Sequence, residues 1–321
     1  MNKDKDFLGT EPVGKLMFRL ALPTITAQLI NMLYNIIDRI YIGHIPGNGA
    51  LALTGVGVCM PLIMIISAFA ALVGGGGAPH ASIAMGKNDL NTAEHILGNC
   101  FFLQILISII LTVILLFGNR TFLLAFGASE NTIEYAVNYM NIYAVGTIFV
   151  QLTLGMNMFI TTQGFAKTGM LSVLIGAVMN IVLDPLFIFT LDMGTAGAAL
   201  ATGLSQFISF CILLWMCNHQ DSCISISIRK FRPKLAIYRE VLYGGIPSLG
   251  RQGIASVATI LMNFMCQPYG DAAIAAMSIV NRFMMFVGSA MIGFGQGFQP
   301  VCSYCFGAGM YRRVKEACVF C

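Results

Sequence analysis

Two carboxylates lie where carboxylates are expensive. Asp38 and Asp184 each fall inside a long apolar stretch, and an Asp at the centre of a membrane helix costs about 2.5–3.5 kcal/mol on insertion scales. Neither stands alone. Gln28, Asn31, Asn35 and Asp38 follow at intervals of three, four and three residues, which puts them on one helical face that must turn toward protein or water. Asn180 precedes Asp184 by one turn, and Pro185 follows at once, able to bend the helix and free the carbonyl four residues back. Asn157 and Thr202, in neighbouring apolar stretches, add further oxygens. Two carboxylates, two amides and a hydroxyl suit a hard cation, which prefers oxygen ligands. They suit a proton equally, because burial disfavours the ionised carboxylate. The same groups could instead staple helices together. Arg39, beside Asp38, points about 100° away from it on a helix and is expected to snorkel toward the membrane edge.

The elements that position these residues follow from composition. Of 321 residues, 57% are hydrophobic and 10% charged, against about 25% charged in soluble domains. So few charges cannot cover a soluble surface, and the high apolar content excludes disorder. The apolar runs are continuous rather than alternating, so helices are expected rather than a β-barrel. Eight runs reach spanning length: Leu20–Ile42, Ala50–Val73, Ile96–Phe117, Tyr135–Thr161, Met170–Leu191, Thr195–Cys217, Val241–Met265 and Ala272–Tyr304. Short Gly-, Pro-, Asn- and Asp-containing turns join most of them. The predicted fold is an all-α polytopic membrane protein with an N-terminal lobe over 1–217, a basic linker over 218–239 and a partial second lobe over 240–321.

Charge placement sets the expected topology. With the N-terminus in the cytoplasm, Lys3, Lys5, Lys15, Arg19, Lys87, Lys167, the basic residues of the linker, Arg312, Arg313 and Lys315 lie inside, and Arg120 alone lies outside. Met1–Lys15 is polar with no cleavage site after a short apolar core, so no signal peptide is expected. The net charge of +4 gives no reason to expect nucleic acid. The expected location is the cell (inner or plasma) membrane, in contact with the lipid bilayer, as a monomer.

The chain also repeats itself. Pro23 and Gln28 correspond to Pro247 and Gln252; Gly74, Gly76, Pro79, Ser82 and Gly86 correspond to Gly295, Gly297, Pro300, Ser303 and Gly307; Gly49 and Ala52 correspond to Gly270 and Ala273. Six spans precede the second copy, and an even number makes the repeat parallel. The second copy has two spans and the start of a third, which reads as a twelve-span protein cut short. The 321-residue chain alone is therefore expected to fail at transport: vesicles containing only it should not expel a fluorescent cation, and a rate matching a twelve-span homologue would contradict this.

These features resemble the multidrug and toxic compound extrusion (MATE) family, most of all its bacterial drug-exporting branch. The resemblance covers essentially the whole chain and rests on NIIDRIYIGHIPGNGALALTGVG, GGGGAPHASIAMGKNDLNTAEHILGN, FGASE, IGAVMNIVLDPLFIF and MGTAGAALAT. It implies two six-helix lobes about a pseudo-twofold along the membrane normal, with a central cleft. It implies proton- or sodium-coupled antiport of small amphipathic, often cationic, compounds, with no enzymatic activity and no cofactor beyond the coupling ion. The family's cation site maps onto Asp38, Asn157, Asn180, Asp184 and Thr202, and Tyr139 matches a further polar position. Gln28, Asn31, Asn35 and Tyr139 are the candidate cleft-lining residues. His80 stands where many relatives carry arginine.

Other signals carry less. Cys302, Cys305, Cys318 and Cys321 spell C-x2-C-x12-C-x2-C, a zinc spacing in a soluble protein. Here the pairs end one apolar span and begin another, so no zinc is expected. Gly74–Gly77 lacks the Lys-Ser/Thr ending of a phosphate loop and suits close helix packing. Twenty Met and 23 Phe suit a cleft that repacks around varied cargo. The alternatives to an exporter are a flippase for a lipid-linked sugar, which should show a strongly cationic cleft, and a membrane-embedded enzyme or structural protein.

Overall fold

Helices make up almost all of the described residues, 7–218, 235–266 and 271–321 of this computed structural model, with no strand among them. In chain order they are α1 (Phe7–Thr10), α2 (Val13–Gly43), α3 (Gly49–Gly86), α4 (Leu90–Ala125), α5 (Ile133–Thr162), α6 (Ala166–Pro185), α7 (Gly194–Asn218), α8 (Leu235–Cys266), α9 (Asp271–Gly307) and α10 (Tyr311–Phe320). Of these, α2 to α7 are long and apolar enough to cross a membrane, α6 together with the turn that follows it. Helices α8 and α9 run 32 and 37 residues. The basic residues Arg229, Lys230, Arg232 and Lys234, like Lys3 and Lys5, lie outside the described residues.

The turns stop where the sequence forces them. Asn88, with φ 62°, breaks the chain after α3. Asp89 then caps α4, accepting the Thr92 backbone N–H at 3.0 Å. Hydrogen bonds from the Thr92 side chain and backbone hold the exposed Asp89 carboxyl below its usual range.

Helix α5 is the centre of the first lobe, packed against α3, α4 and α7. Its core shares Tyr139, Met140, Tyr143 and Val150 with Val56, Leu62 and Ile66 of α3 and with Ala198 and Ala199 of α7.

The second copy joins the first by exchange. Helix α2 packs on α9, and α3 on α8, so the first helix of each copy meets the second helix of the other. The contacts repeat as the sequence does. A Cβ on Gly76 would collide with the Val241 carbonyl and the Gly245 backbone, and one on the equivalent Gly297 would collide with Ala21. At the axis, Gly86 abuts the Tyr304 carbonyl and Gly307 abuts the Ile83 carbonyl. Reciprocal contacts of this kind are what a twofold relation produces.

Because Gly76 faces backbone, which cannot swing aside, Gly76→Val must push α3 and α8 apart. We expect it to destabilise the protein by about 1–3 kcal/mol, the usual cost of overpacking. Thermal unfolding in detergent checks this. Gly250→Ala, inside α8 with open space around its Cβ, should not lower the melting temperature, since Ala suits a helix interior better than Gly.

Among the described residues, the closest lobe-to-lobe contacts lie toward one end of the bundle. Thr24 Oγ1 donates to the Gly293 carbonyl at 2.6 Å, and Gln28 Nε2 donates to Gln296 Oε1 at 3.0 Å. Beyond them, Leu8, Leu16, Met17 and Leu20 share a buried cluster with Val301, Cys305 and Ala317. Arg313 of α10 donates to the Glu11 carbonyl at 2.5 Å and ties the start of the chain to this end. Toward the other end, residues such as Leu33 and Ile40 of α2, Ile254 and Leu261 of α8, and Met284 and Met291 of α9 are exposed.

Candidate functional site

The two acidic residues meet. Asp38 comes from the upper half of α2 and Asp184 from the last turn of α6. Their carboxyl groups lie within hydrogen-bonding reach of each other. Asp38 is 8% exposed and Asp184 is fully buried. Local chemistry places Asp184. Pro185 has no N–H for the Ile181 carbonyl, and the helix leaves α geometry immediately after it in a π-helical turn, Leu186–Thr190. That turn is closed by the Leu191 N–H on the Leu186 carbonyl at 3.0 Å. Such turns interrupt helices most often at functional sites.

One amide organises the rest. Asn180 Nδ2 lies 3.3 Å from Asp184 Oδ1 and 3.4 Å from Thr202 Oγ1, donating toward both. Thr202 in turn donates to the Ala198 carbonyl at 3.0 Å, which leaves its oxygen free to accept. Three buried oxygens, Asp38 Oδ1, Asp184 Oδ2 and Asn180 Oδ1, meet no hydrogen-bond donor among the described residues. Buried acceptors are nearly always satisfied, so three in one cluster leave capacity for a donor or a cation.

Asn157 is not in this cluster. Its amide donates to the Gly169 carbonyl at 3.0 Å and toward Ser172 Oγ at 3.4 Å. It lines a polar cavity of about 80 Å³ with Gln28, Asn31, Tyr34, Gln206 and Gln296. Tyr139 does not line the cleft, contrary to the expectation for it. It is buried, stacks on Tyr143 with ring centroids 5.8 Å apart and lies close enough to Asp38 to sense its charge.

A second space, of about 630 Å³, opens between the copies. Gln28, Asn31 and Asn35 line it, as does Arg39, with Met32, Met60, Met64 and Met285 supplying apolar wall. The stripe on α2 is therefore split. Three amides face the cleft, while Asp38, rotated about 60° from Asn35 by the helical pitch, turns into the lobe. Arg39 does not snorkel to lipid; it lines the cleft instead.

Two residues escape the sequence reading. Tyr34 sits one turn before Asp38, reaches the Gln206 side chain and feels both aspartates. It thus stands between the carboxyl pair and the small polar cavity. Its spacing from Asp38 was the available signal, but a tyrosine among apolar residues reads as packing. Gln296 is the other. Only the crossing of α2 and α9 shows that it meets Gln28.

Comparison with known proteins agrees with this architecture. A family model described as MatE matches residues 23–186 and 247–321, two segments that begin at the equivalent prolines Pro23 and Pro247. The chain belongs to the MatE family. It is 25% identical over 300 residues to the multidrug export protein MepA of Staphylococcus haemolyticus (strain JCSC1435), covering 94% of this chain and 66% of MepA. A MOP superfamily transporter from Pyrococcus furiosus Vc1 (DSM3638) superposes with a TM-score of 0.91 at 26% identity, covering 99% of this chain and 70% of that one. An outward-facing multidrug resistance MATE family transporter gives the same TM-score, identity and coverage. The chain thus spans about two thirds of the length of these MatE relatives. As a MatE protein it is a multi-pass membrane protein of a transporter family.

Proposed function

We propose that the protein is a secondary active exporter that exchanges an inward-moving proton or Na⁺ for an outward-moving amphipathic compound. The observation that carries this reading is the Asp38–Asp184 pair. Two carboxyls in contact in a low-dielectric interior cannot both stay ionised without a cation between them. Arg39 acts on Asp38 through space, but no Lys or Arg among the described residues forms an ion pair with either carboxyl. A proton or a Na⁺ completes the site, with Asn180 and Thr202 as the neutral oxygens beside it.

Helix α2 links the site to the cleft. It carries Asp38, and about 15 Å further along its axis, at 1.5 Å per residue, it carries Gln28, which holds the contact to α9. A cation that draws α2 toward α6 at Asp38 therefore acts on the helix that closes one end of the cleft. With the N-terminus in the cytoplasm, as the distribution of basic residues supports, the closed end is the cytoplasmic one and the cleft opens outward. Cation binding and cargo binding then favour different arrangements of the lobes, which is sufficient for coupled exchange. The name of the MepA relatives, multidrug export proteins, supports cargo of small organic compounds. The flippase alternative is less well supported, because Arg39 is the one Lys or Arg among the described cleft-lining residues.

The test is efflux of a fluorescent compound from vesicles holding the protein with a complete second lobe. Efflux should follow an imposed proton or Na⁺ gradient and stop when an ionophore collapses it. Efflux at the same rate without a gradient would contradict coupling.

A further inference from the structure

The cleft is charged in an unexpected sense. Its lining residues are Gln28, Asn31, Asn35, Ser67, Gln252 and Ser289 as polar neutral groups, four methionines and other apolar side chains, His44, and Arg39. None of the described lining residues is Asp or Glu. Asp38, the nearest carboxylate in sequence, is turned into the lobe and is 8% exposed. It does not form an ion pair with Arg39: the ion pairs among the described residues join Lys15 and Arg19 to Glu11, Arg120 to Glu134, and Arg312 to Glu316. The Arg39 guanidinium, half-buried, therefore faces the cleft with no hydrogen bond or ion pair to another described residue. The amides of Asn31 and Asn35 share its wall at one-turn spacing, although Asn35 Nδ2 is already given to the Asn31 carbonyl at 2.6 Å. His44 Nδ1 lies 2.7 Å from the Ile40 carbonyl, so that nitrogen carries the proton and the ring adds no negative charge.

A cationic cargo entering such a space would bring a second positive charge against Arg39; Asp38 acts on that guanidinium through space but is turned into the lobe and forms no ion pair with it. An anionic cargo would find a guanidinium, whose planar fork of donors matches a carboxylate or sulfonate, and an adaptable methionine wall for an apolar tail. We infer that the cleft selects amphipathic anions, with Arg39 as the residue that holds their charge. This inference rests on the exporter reading and narrows its cargo class, away from the cationic compounds expected from family resemblance.

The test is a binding measurement that needs no gradient. The full chain in nanodiscs of zwitterionic lipid is titrated with two dansyl-labelled alkyl probes that share one tail, one ending in a carboxylate and the other in a trimethylammonium. Empty nanodiscs give the background. The carboxylate probe should bind at least about tenfold more tightly, the scale on which a desolvated charge contact acts. Arg39→Gln should remove that preference and Arg39→Lys should keep part of it. Arg251→Gln, an exposed arginine outside the cleft lining, should change nothing. If Arg39→Gln does not fold, the preference of the unaltered chain should still shrink as salt is raised.

Equal affinity for the two probes, or tighter binding of the ammonium, would overturn the inference and leave coupled export standing. A preference that survives Arg39→Gln would overturn the role of Arg39. Binding of neither probe would overturn the cleft reading itself. A defect in cation coupling at Asp38 and Asp184 would leave the probe preference intact, so the two failures are distinguishable.

Discussion

Asp184→Asn is expected to reduce gradient-driven efflux to the background of empty vesicles while membrane insertion and folding stay intact. Asn keeps the size of the side chain and can still bond Asn180, whose Nδ2 lies 3.3 Å from the carboxylate. What it removes is the negative charge that makes a cation necessary. Asp38→Asn should do the same, because either substitution turns a pair that must capture a cation into a single carboxyl beside an amide. Asp→Glu at either position keeps the charge but moves it by a methylene, and should retain part of the efflux. Arg39→Gln should be milder than Asp38→Asn for an uncharged cargo, since the two side chains face different spaces. The measurement is efflux from energised vesicles at matched protein levels, with the second lobe completed. Near-normal, gradient-dependent efflux by the Asp38→Asn, Asp184→Asn double variant would place the coupling elsewhere and leave the carboxylates as helix staples.

Bridging the closed end of the cleft should arrest exchange outright. Gln28 and Gln296 touch across the two copies at 3.0 Å, beside the Thr24 hydrogen bond to Gly293. If the lobes rock, this contact must part before cargo can load from the cytoplasmic side. In a background without other cysteines, Gln28→Cys with Gln296→Cys can be joined by a short cleavable bis-maleimide. Efflux should fall to background in proportion to the fraction bridged and return when the bridge is cut. Each single cysteine treated alike should stay active. Undiminished efflux from fully bridged protein would show that the α2–α9 contact does not open during the cycle.

Much of this organisation is legible in the residues. Long uninterrupted apolar runs leave little freedom about helix count in the first lobe, and repeated Gly and Pro positions announce the second copy. The final residues, where the sequence leads one to expect the start of a third span, form the ten-residue helix α10. Asn180 and Asp184 are readable as a pair because a four-residue spacing and a following proline are both local. What spacing does not give is the partner across space. Asn157 carries the right chemistry on the right helix, yet its amide is committed to Gly169 and Ser172 of α6. Asp38 shares a helical stripe with three amides, and the stripe is wide enough to straddle a boundary between lobe interior and cleft. Arg39 looks like a snorkelling arginine from its position in the chain. Only the placement of α8 and α9 shows that its side of α2 borders a cleft rather than lipid. Tyr34 and Gln296 depend in the same way on crossings between helices distant in sequence.

We propose that Asp38 and Asp184 act together as one cation site. Infrared difference spectroscopy of the chain in nanodiscs reads it directly, through the carboxyl C=O band that changes when pH is stepped or Na⁺ is added. We expect a signal in the unaltered chain that disappears in Asp38→Asn and also in Asp184→Asn, because each aspartate needs the other. A signal that persists unchanged in both variants would contradict it.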